Sequence, residues 1–263
     1  MTVAKHITAR DCFRVSAPRP TARLTLFCFP HAGGAASAFR PLAALLPDDI
    51  ELVAVQYPGR QDRYGEPLPP TMAELVDEIT TAMLERLDQP AAFLGHSMGA
   101  TVAFEVARRL RARRPNAVRR LFASARRAPH HDNSQALNFP DDEAVLRYVD
   151  SLGGTGARML ASPELRDLAM PTLRGDFRLI ADYRYATGAP LTCPITVIAG
   201  DSDPSFTTDH AREWNRHTIA GCDIRTMPGG HFYLETAPGA LALLITEKLA
   251  ADLPAREPAG GSR

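Results

Sequence analysis

Gly95-His96-Ser97-Met98-Gly99 has glycines two positions before and two positions after a serine. The apolar run 91–94 precedes this stretch, and the helix-like segment 100–106 follows it. In a nucleophile elbow, a strand turns sharply into a helix at such a sequence, and the glycines allow the turn that lifts the serine hydroxyl out of the sheet. A serine in this pattern can also merely cap the helix. The strand before and the helix after favour the elbow, which predicts Ser97 as a nucleophile.

A nucleophilic serine needs a base, and after such an elbow the base is a histidine that comes late in the chain. Five histidines follow Ser97, namely His130, His131, His210, His217 and His231. His231 directly follows the glycine-rich turn 227–230, from which it can lean over the edge of the sheet. We therefore predict His231 as the base. We interpret the other four as surface histidines, with His131, next to Asp132, as the second candidate.

The carboxylate that orients this histidine should follow the strand-like segment 194–200. Asp201 comes directly after that segment, and Asp203 lies two residues further, before Pro204. A carboxylate immediately at a strand end often accepts hydrogen bonds from the next turn, which is a structural role. One held further along the loop can reach sideways to an imidazole. We predict Asp203 as the third catalytic residue, with Asp201 as the alternative.

Attack by a serine also requires two convergent backbone N–H donors, the oxyanion hole. The first is predicted at Met98, directly after the nucleophile. The second should lie in the loop after an early strand, and Ala32 follows the buried strand predicted at 24–29. Gly33 is the alternative donor, because glycine lets the backbone approach an anion closely. We also predict His31 and Gly33 as substrate-binding residues, although His31 could equally anchor the loop.

Strand-like and helix-like segments alternate along the chain, which indicates parallel strands joined by right-handed crossovers. The predicted fold class is α/β, an α/β-hydrolase fold with a mostly parallel central sheet flanked by helices. Strands are predicted at about 24–29, 51–57, 91–96, 119–125, 194–200 and 223–227. We predict a single domain over residues 1–263. Within it, residues 130–190 form a helical lid insertion over Ser97, and residues 254–263 form a flexible tail.

Helix starts are marked by capping residues. Thr71 and Glu74 fit a capping box after Pro70. Inside the insertion, the segments 140–143 and 162–164 each combine an N-cap residue with early carboxylates. These signals predict at least two helices in the lid.

Six short stretches together resemble one family, the free-standing type II thioesterases of polyketide and nonribosomal peptide synthases. They lie in order between about residues 22 and 250, at 29–34, 56–60, 95–99, 123–129, 173–177 and 229–234. The family's G-x-x-D pattern supports Asp203, because it matches Gly200 to Asp203. Ala125 departs from the family pattern, since glycine is expected there.

The resemblance implies a hydrolase that acts on thioesters. It implies that the substrate is an acyl group on the phosphopantetheine arm of a carrier protein, and that the enzyme clears stalled or wrong acyl units during antibiotic biosynthesis. The expected partner is an acyl-loaded carrier protein. No metal or organic cofactor is expected. The alternatives are a carboxylesterase or acyltransferase with the same residues, or a carrier-docking protein without turnover.

Composition argues against several other classes of protein. The formal net charge is zero, with 30 basic and 30 acidic residues, so a nucleic-acid partner is not expected. Four cysteines, at positions 12, 28, 193 and 222, show no metal-ligand or redox spacing. No 18-residue apolar run occurs and the first residues lack the apolar core of a signal peptide, so we expect a cytoplasmic protein without a membrane partner.

Seven arginines lie between residues 108 and 120. A solvated helix end explains such a run, because cations stabilise the carboxyl end of a helix. A docking patch for an acidic carrier protein at the mouth of the active site is the alternative.

Overall fold

A seven-stranded sheet forms the centre of the protein, and the computed structural model describes residues 12–254 of the chain. The strands are β1 (Phe13–Val15), β2 (Leu24–Phe29), β3 (Ile50–Val55), β4 (Ala91–His96), β5 (Val118–Ser124), β6 (Ile195–Gly200) and β7 (Cys222–Met227). Their order in the sheet is β1-β3-β2-β4-β5-β6-β7. All neighbouring pairs are parallel except β1 and β3.

Helices lie between these strands and, in two cases, after the last one. They are α1 (Arg40–Leu45), α2 (Met72–Leu84), α3 (Met98–Arg113), α4 (Asp142–Leu152), α5 (Gly154–Met159), α6 (Pro163–Asp182), α7 (Thr208–Arg212), α8 (Tyr233–Thr236) and α9 (Pro238–Leu249). Short 3-10 helices cover Ala36–Phe39, Gln61–Arg63 and Glu213–His217. The predicted α/β-hydrolase fold class and the six predicted strands are confirmed, with strand ends shifted by at most two residues.

Two hydrophobic clusters cover the two faces of the sheet. Successive side chains of a strand point to opposite faces, so along β2 Phe27 and Phe29 belong to one cluster while Leu26 and Cys28 belong to the other. The first cluster includes apolar residues of α2, α3 and α6, and the second includes those of α1 and α9. The central strands are therefore covered on both faces, as their nearly uniform apolar sequences require.

Strand β1 is absent from the predicted set. It has three residues, and it pairs antiparallel with β3 at the sheet edge, with Phe13 opposite Val55. Only Phe13 of the strand is fully buried. Three residues with one buried side chain give too short a pattern to recognise from sequence.

Of the three predicted N-cap residues, two cap their helices and one does not. Thr71 caps α2, because its side chain accepts the Glu74 amide, but its hydroxyl then donates to the Glu74 carboxylate, so the reciprocal half of the capping box is not formed. Asp141 caps α4 through the Ala144 amide. Ser162 precedes α6 without capping it and donates to Glu164 instead.

Three helices, α4, α5 and α6, lie between β5 and β6, within the segment 130–190 that was predicted as an insertion. The predicted tail, residues 254–263, lies outside the described residues except for Pro254. Across residues 12–254, no helix combines the length and apolar character needed to cross a membrane.

Candidate active site

Ser97 lies at the turn between β4 and α3 in a backbone conformation that L-residues rarely adopt, with φ of 53° and ψ of −119°. The flanking glycines have no space for a side chain. A Cβ on Gly95 would lie 2.2 Å from the Gly99 carbonyl oxygen, and one on Gly99 would lie 2.0 Å from the carbonyl oxygen of Phe29. The close approach of α3 to β2 and β4 therefore explains both glycines, and it presents Ser97 at the carboxyl edge of the sheet.

His231 and Asp203 form a buried pair at the same edge. His231 Nδ1 lies 2.8 Å from Asp203 Oδ2, and both side chains are almost fully buried. The other carboxylate oxygen, Oδ1, accepts hydrogen bonds from the amide and the hydroxyl of Ser205, at 2.8 and 2.7 Å. Burial opposes ionisation of Asp203, but the hydrogen bonds from His231 and Ser205 outweigh it and lower the pKa of this carboxyl.

The second ring nitrogen of His231, Nε2, is buried and has no hydrogen-bond partner in the part of the chain that the structure describes. Ser97 and His231 line the same cavity. Since the carboxylate holds the proton on Nδ1, Nε2 carries the lone pair that a general base requires.

Asp201 has a different environment. It is exposed, and its Oδ1 accepts hydrogen bonds from the Gly229 amide at 3.0 Å and from Ser202 at 2.7 Å. Asp201 thus ties together the two loops that carry Asp203 and His231. Of the two carboxylates weighed from sequence, the structure brings only Asp203 into contact with the histidine.

The predicted oxyanion donors, Met98 and Ala32, differ from the alternative, Gly33, in whether the backbone amide already has an acceptor. Met98 is the first residue of α3, where backbone N–H groups have no acceptor within the helix. The Ala32 amide makes no hydrogen bond to any residue in 12–254. The Gly33 amide, by contrast, donates to Asp176 Oδ2 at 2.7 Å. Ala32 therefore remains available as a donor, while the alternative donor Gly33 is already engaged.

Asp176 also forms a buried ion pair with Arg60. Arg60 donates from Nη1 to Asp176 Oδ2 at 2.7 Å and from Nη2 to Oδ1 at 2.9 Å. The same guanidinium donates to the carbonyl oxygens of Gly34 and Pro58, at 3.1 Å each. This arrangement, which we call the Arg60–Asp176 clamp, joins α6 to the loop that carries Ala32.

Both segments of the clamp, 56–60 and 173–177, belong to the stretches that resemble the family, but nothing in the sequence links them to each other. Arg60 and Asp176 are 116 positions apart in the chain. No pattern in the sequence around either residue predicts that the two side chains pair. The same holds for Ser205, which supports Asp203. The only signal in the sequence is that an arginine and an aspartate each occur in one of these stretches; their burial becomes visible only in the structure.

Three histidines lie close together near Ser97. The His96 ring is 5.2 Å from the His231 ring and 5.8 Å from the His31 ring. Burial, followed by electrostatic interactions with His231 and Arg60, lowers the pKa of His31 to about 3. Burial lowers the pKa of His96 as well, and its Nδ1 lies 2.7 Å from Ser124 Oγ. The lowered pKa values make His31 and His96 weaker bases than an ordinary histidine.

A cavity of about 250 Å³ opens beside Ser97. All of the predicted substrate-side residues except Met98 line it, that is His31, Ala32 and Gly33. Much of the remaining wall is apolar and comes from α4 and α6, including Val149, Leu152, Leu165, Leu168, Leu173 and Phe177. An extended apolar group attached to a carbonyl at Ser97 fits such a wall.

The remaining histidines are placed away from this cavity. His130 and His131 lie near Glu213 and neither lines the cavity, so the structure does not bring the alternative base, His131, to Ser97. The interpretation of all four as surface histidines is wrong for His217, which is only 3% exposed. It packs edge-on against the aromatic rings of Phe104 and Tyr185.

The arginine run lies at the opposite end of α3 from Ser97. The 16 residues of α3 span about 24 Å at roughly 1.5 Å per residue. None of the seven arginines lines the cavity, and several have local partners. Arg108 and Arg109 pair with Glu105, and Arg120 pairs with Asp252. The structure therefore argues against a docking patch at the cavity mouth.

Ala125, the residue that stands where the family pattern has glycine, adopts a backbone conformation typical of glycine. It directly follows β5 and has φ of 50°, in the region that favours glycine. Its amide donates to the Ile198 carbonyl at 2.8 Å, and the residue is buried. The backbone thus keeps the conformation that a glycine would adopt easily, at a cost in strain.

Comparison with known proteins gives a consistent result. The model of the thioesterase domain family matches residues 24–249. Thioesterase PikA5 of Streptomyces venezuelae is 40% identical over 218 residues, covering 82% of this chain and 78% of that protein. A probable cadicidin biosynthesis thioesterase of Streptomyces griseus is 38% identical over 245 residues, covering 93% and 68%. The structure of BorB, a type II thioesterase from the borrelidin biosynthetic cluster, is 40% identical with a TM-score of 0.81, covering 90% of this chain and 97% of that one.

Proposed function

The chain belongs to the thioesterase family, and on this basis we propose that it removes stalled or aberrant acyl groups from the phosphopantetheine thiol of carrier proteins in polyketide or nonribosomal peptide biosynthesis. Relatives named for such pathways support the carrier-bound substrate. The single observation that carries the chemistry is the buried Asp203–His231 pair. The Nε2 atom of this histidine has no hydrogen-bond partner among the described residues, and His231 lines the same cavity as Ser97.

Acylation begins when Ser97 Oγ attacks the thioester carbonyl carbon and its proton passes to His231 Nε2. The carbonyl oxygen becomes an anion, which the Ala32 and Met98 amides stabilise. Asp203 stabilises the imidazolium and keeps its proton on Nδ1. When the carbon–sulfur bond breaks, the Nε2 proton passes to the departing pantetheine sulfur, which leaves as the thiol.

Deacylation repeats these steps with water. His231 Nε2 takes a proton from a water molecule as its oxygen attacks the Ser97 ester. The ester bond breaks, the Nε2 proton returns to Ser97 Oγ, and the carboxylic acid leaves. Every proton is supplied and recovered by these groups, so the cycle needs no cofactor.

Helices α4, α5 and α6 serve as a lid in this proposal. Apolar side chains of α4 and α6 line the cavity beside Ser97, where a closed cover excludes bulk water from the acyl group. Leu165 and Leu168 on α6 are 41% and 50% exposed while lining the cavity. Such exposed apolar side chains are suited to admit an acyl chain.

Turnover of matched substrates tests the proposal. An acyl group is presented on a carrier protein, on the small thiol N-acetylcysteamine, and as the corresponding oxygen ester. We expect the highest kcat/KM for the carrier-bound thioester and the lowest for the oxygen ester. A preference for the oxygen ester would indicate a carboxylesterase, and transfer to an added alcohol or amine in preference to water would indicate an acyltransferase.

A further inference from the structure

We propose that His130, His131 and Glu213 form a binding site for a divalent transition-metal ion such as Zn²⁺. One ligand atom of each side chain lies within 4.8 Å of the other two. His130 Nε2 is 3.9 Å from Glu213 Oε2, and His131 Nε2 contacts the same oxygen. Zinc at about 2.0–2.1 Å from tetrahedral ligands places those ligands roughly 3.3 Å apart. Binding of the ion therefore requires the three ligand atoms to adjust to that spacing.

The three ligands come from two segments that the fold holds side by side. His130 and His131 are adjacent in the loop after β5, and Glu213 begins the 3-10 helix between α7 and β7. The rings of His130 and His131 are stacked, with centroids 5.1 Å apart, and the Nε2 atoms of both lie near Glu213 Oε2. All three residues are half-buried, which leaves an ion access from solvent.

The donor set selects the class of ion. Two imidazole nitrogens and one carboxylate oxygen suit Zn²⁺, Co²⁺ or Ni²⁺, whereas Mg²⁺ and Ca²⁺ prefer oxygen ligands alone. A water molecule completes a tetrahedral shell of three protein ligands.

A neighbouring histidine orients one of the ligands. His130 Nδ1 lies 2.9 Å from His217 Nε2. When His130 binds a metal through Nε2, its Nδ1 carries the proton and donates it to His217 Nε2. Outer hydrogen bonds of this kind fix the ring and tautomer of metal-binding histidines. His217 is buried between Phe104 and Tyr185, so its own position is fixed by packing.

This cluster is separate from the proposed catalytic residues, because none of its three ligands lines the cavity beside Ser97. His130 and His131 lie where the segment 130–190 begins, and Glu213 lies outside that segment. A bound ion would therefore connect the start of the lid helices to the body of the fold.

The site is tested by titrating untagged protein with Zn²⁺ in a calorimeter and by measuring the Tm with and without the ion. We expect one equivalent to bind and the Tm to rise by several degrees, because the ion binds only the folded chain. The chain has a single tryptophan, Trp214, next to Glu213. Co²⁺ bound at the site should therefore quench the tryptophan fluorescence.

Glu213→Gln and His131→Gln should each weaken Zn²⁺ binding at least tenfold and abolish the Co²⁺ quenching. His210→Gln is the matched control, because His210 neighbours His131, with ring centroids 6.4 Å apart, but belongs to the cap of α7 and not to the three-residue group. It should bind as the wild type does. If one ligand variant fails to fold, the other decides.

Three results would overturn the proposal: no binding in the wild type, equal binding in both ligand variants, or loss of binding in the control alone. In those cases the cluster is only a hydrogen-bonded contact between His131 and Glu213. The outcome is independent of thioester hydrolysis.

Discussion

Asp176 Oδ2 accepts the Gly33 amide at 2.7 Å while the same carboxylate is held by Arg60. A charged side chain on α6 thus fixes the backbone next to Ala32, the residue we propose as an oxyanion donor. Because a donor must point at the developing anion, the orientation of this loop bears directly on turnover.

Asp176→Asn should lower both stability and kcat. The change leaves the buried Arg60 guanidinium without its counter-charge, and breaking a buried ion pair costs about 3–5 kcal/mol. Urea unfolding and kcat per folded molecule are the measurements. Arg174→Gln, two residues away on α6, is the matched control, because its pair with Asp142 is about half exposed. The control should change stability by less than about 1 kcal/mol. Equal effects of the two variants would contradict the role of the clamp.

Asp203→Asn should reduce kcat by about a thousandfold or more, because His231 loses the partner that fixes its tautomer. Asp201→Asn should mainly reduce stability, since Asp201 binds the Gly229 amide and does not contact the imidazole. Steady-state rates and unfolding midpoints of both variants separate the two roles. A larger loss of kcat in Asp201→Asn, with the fold intact, would reverse the assignment.

Ala125→Gly should change the free energy of unfolding by less than about 1 kcal/mol. Relief of the positive φ at this position, a cost of about 1–2 kcal/mol in L-residues, offsets the lost methyl group and the added chain entropy. Ala103→Gly in α3 is equally buried but helical, and should destabilise by about 1 kcal/mol or more. Urea midpoints at a constant m-value provide the comparison. Equal destabilisation would show that Ala125 is not strained.

Stability should fall as the pH drops from about 6.5 towards 3, partly because of His31. Its folded pKa of about 3 lies below the ordinary histidine value of 6.5, so in this window the unfolded chain binds a proton that the folded chain does not bind. The contribution is fully present above pH 6.5. His31→Asn should reduce the slope of unfolding free energy by at most about 1.4 kcal/mol per pH unit. An unchanged slope between pH 6 and 4.5 would mean that His31 is protonated in the fold.

The sequence predicted what local patterns determine. The elbow, the turn before His231 and the apolar strands each lie within a few adjacent residues, so their positions could be read directly. Contacts between distant residues could not. The partners of Arg60 and Glu213 depend on how loops meet after folding, and the burial of His217 depends on aromatic rings from other elements. The arginine run illustrates the same limit, because its composition left a docking patch open as an alternative, and only its distance from Ser97 along α3 argues against a patch at the cavity mouth.

The central claim is that Ser97 carries the acyl group between two half-reactions. The most direct measurement is an acid quench of the enzyme in the first turnovers of an acyl-thioester, followed by digestion and mass analysis of the peptide that contains Ser97. The account predicts an acyl mass on Ser97 in the wild type, and neither adduct nor appreciable turnover in folded Ser97→Ala. An adduct on another residue, or near wild-type hydrolysis by Ser97→Ala, would contradict it.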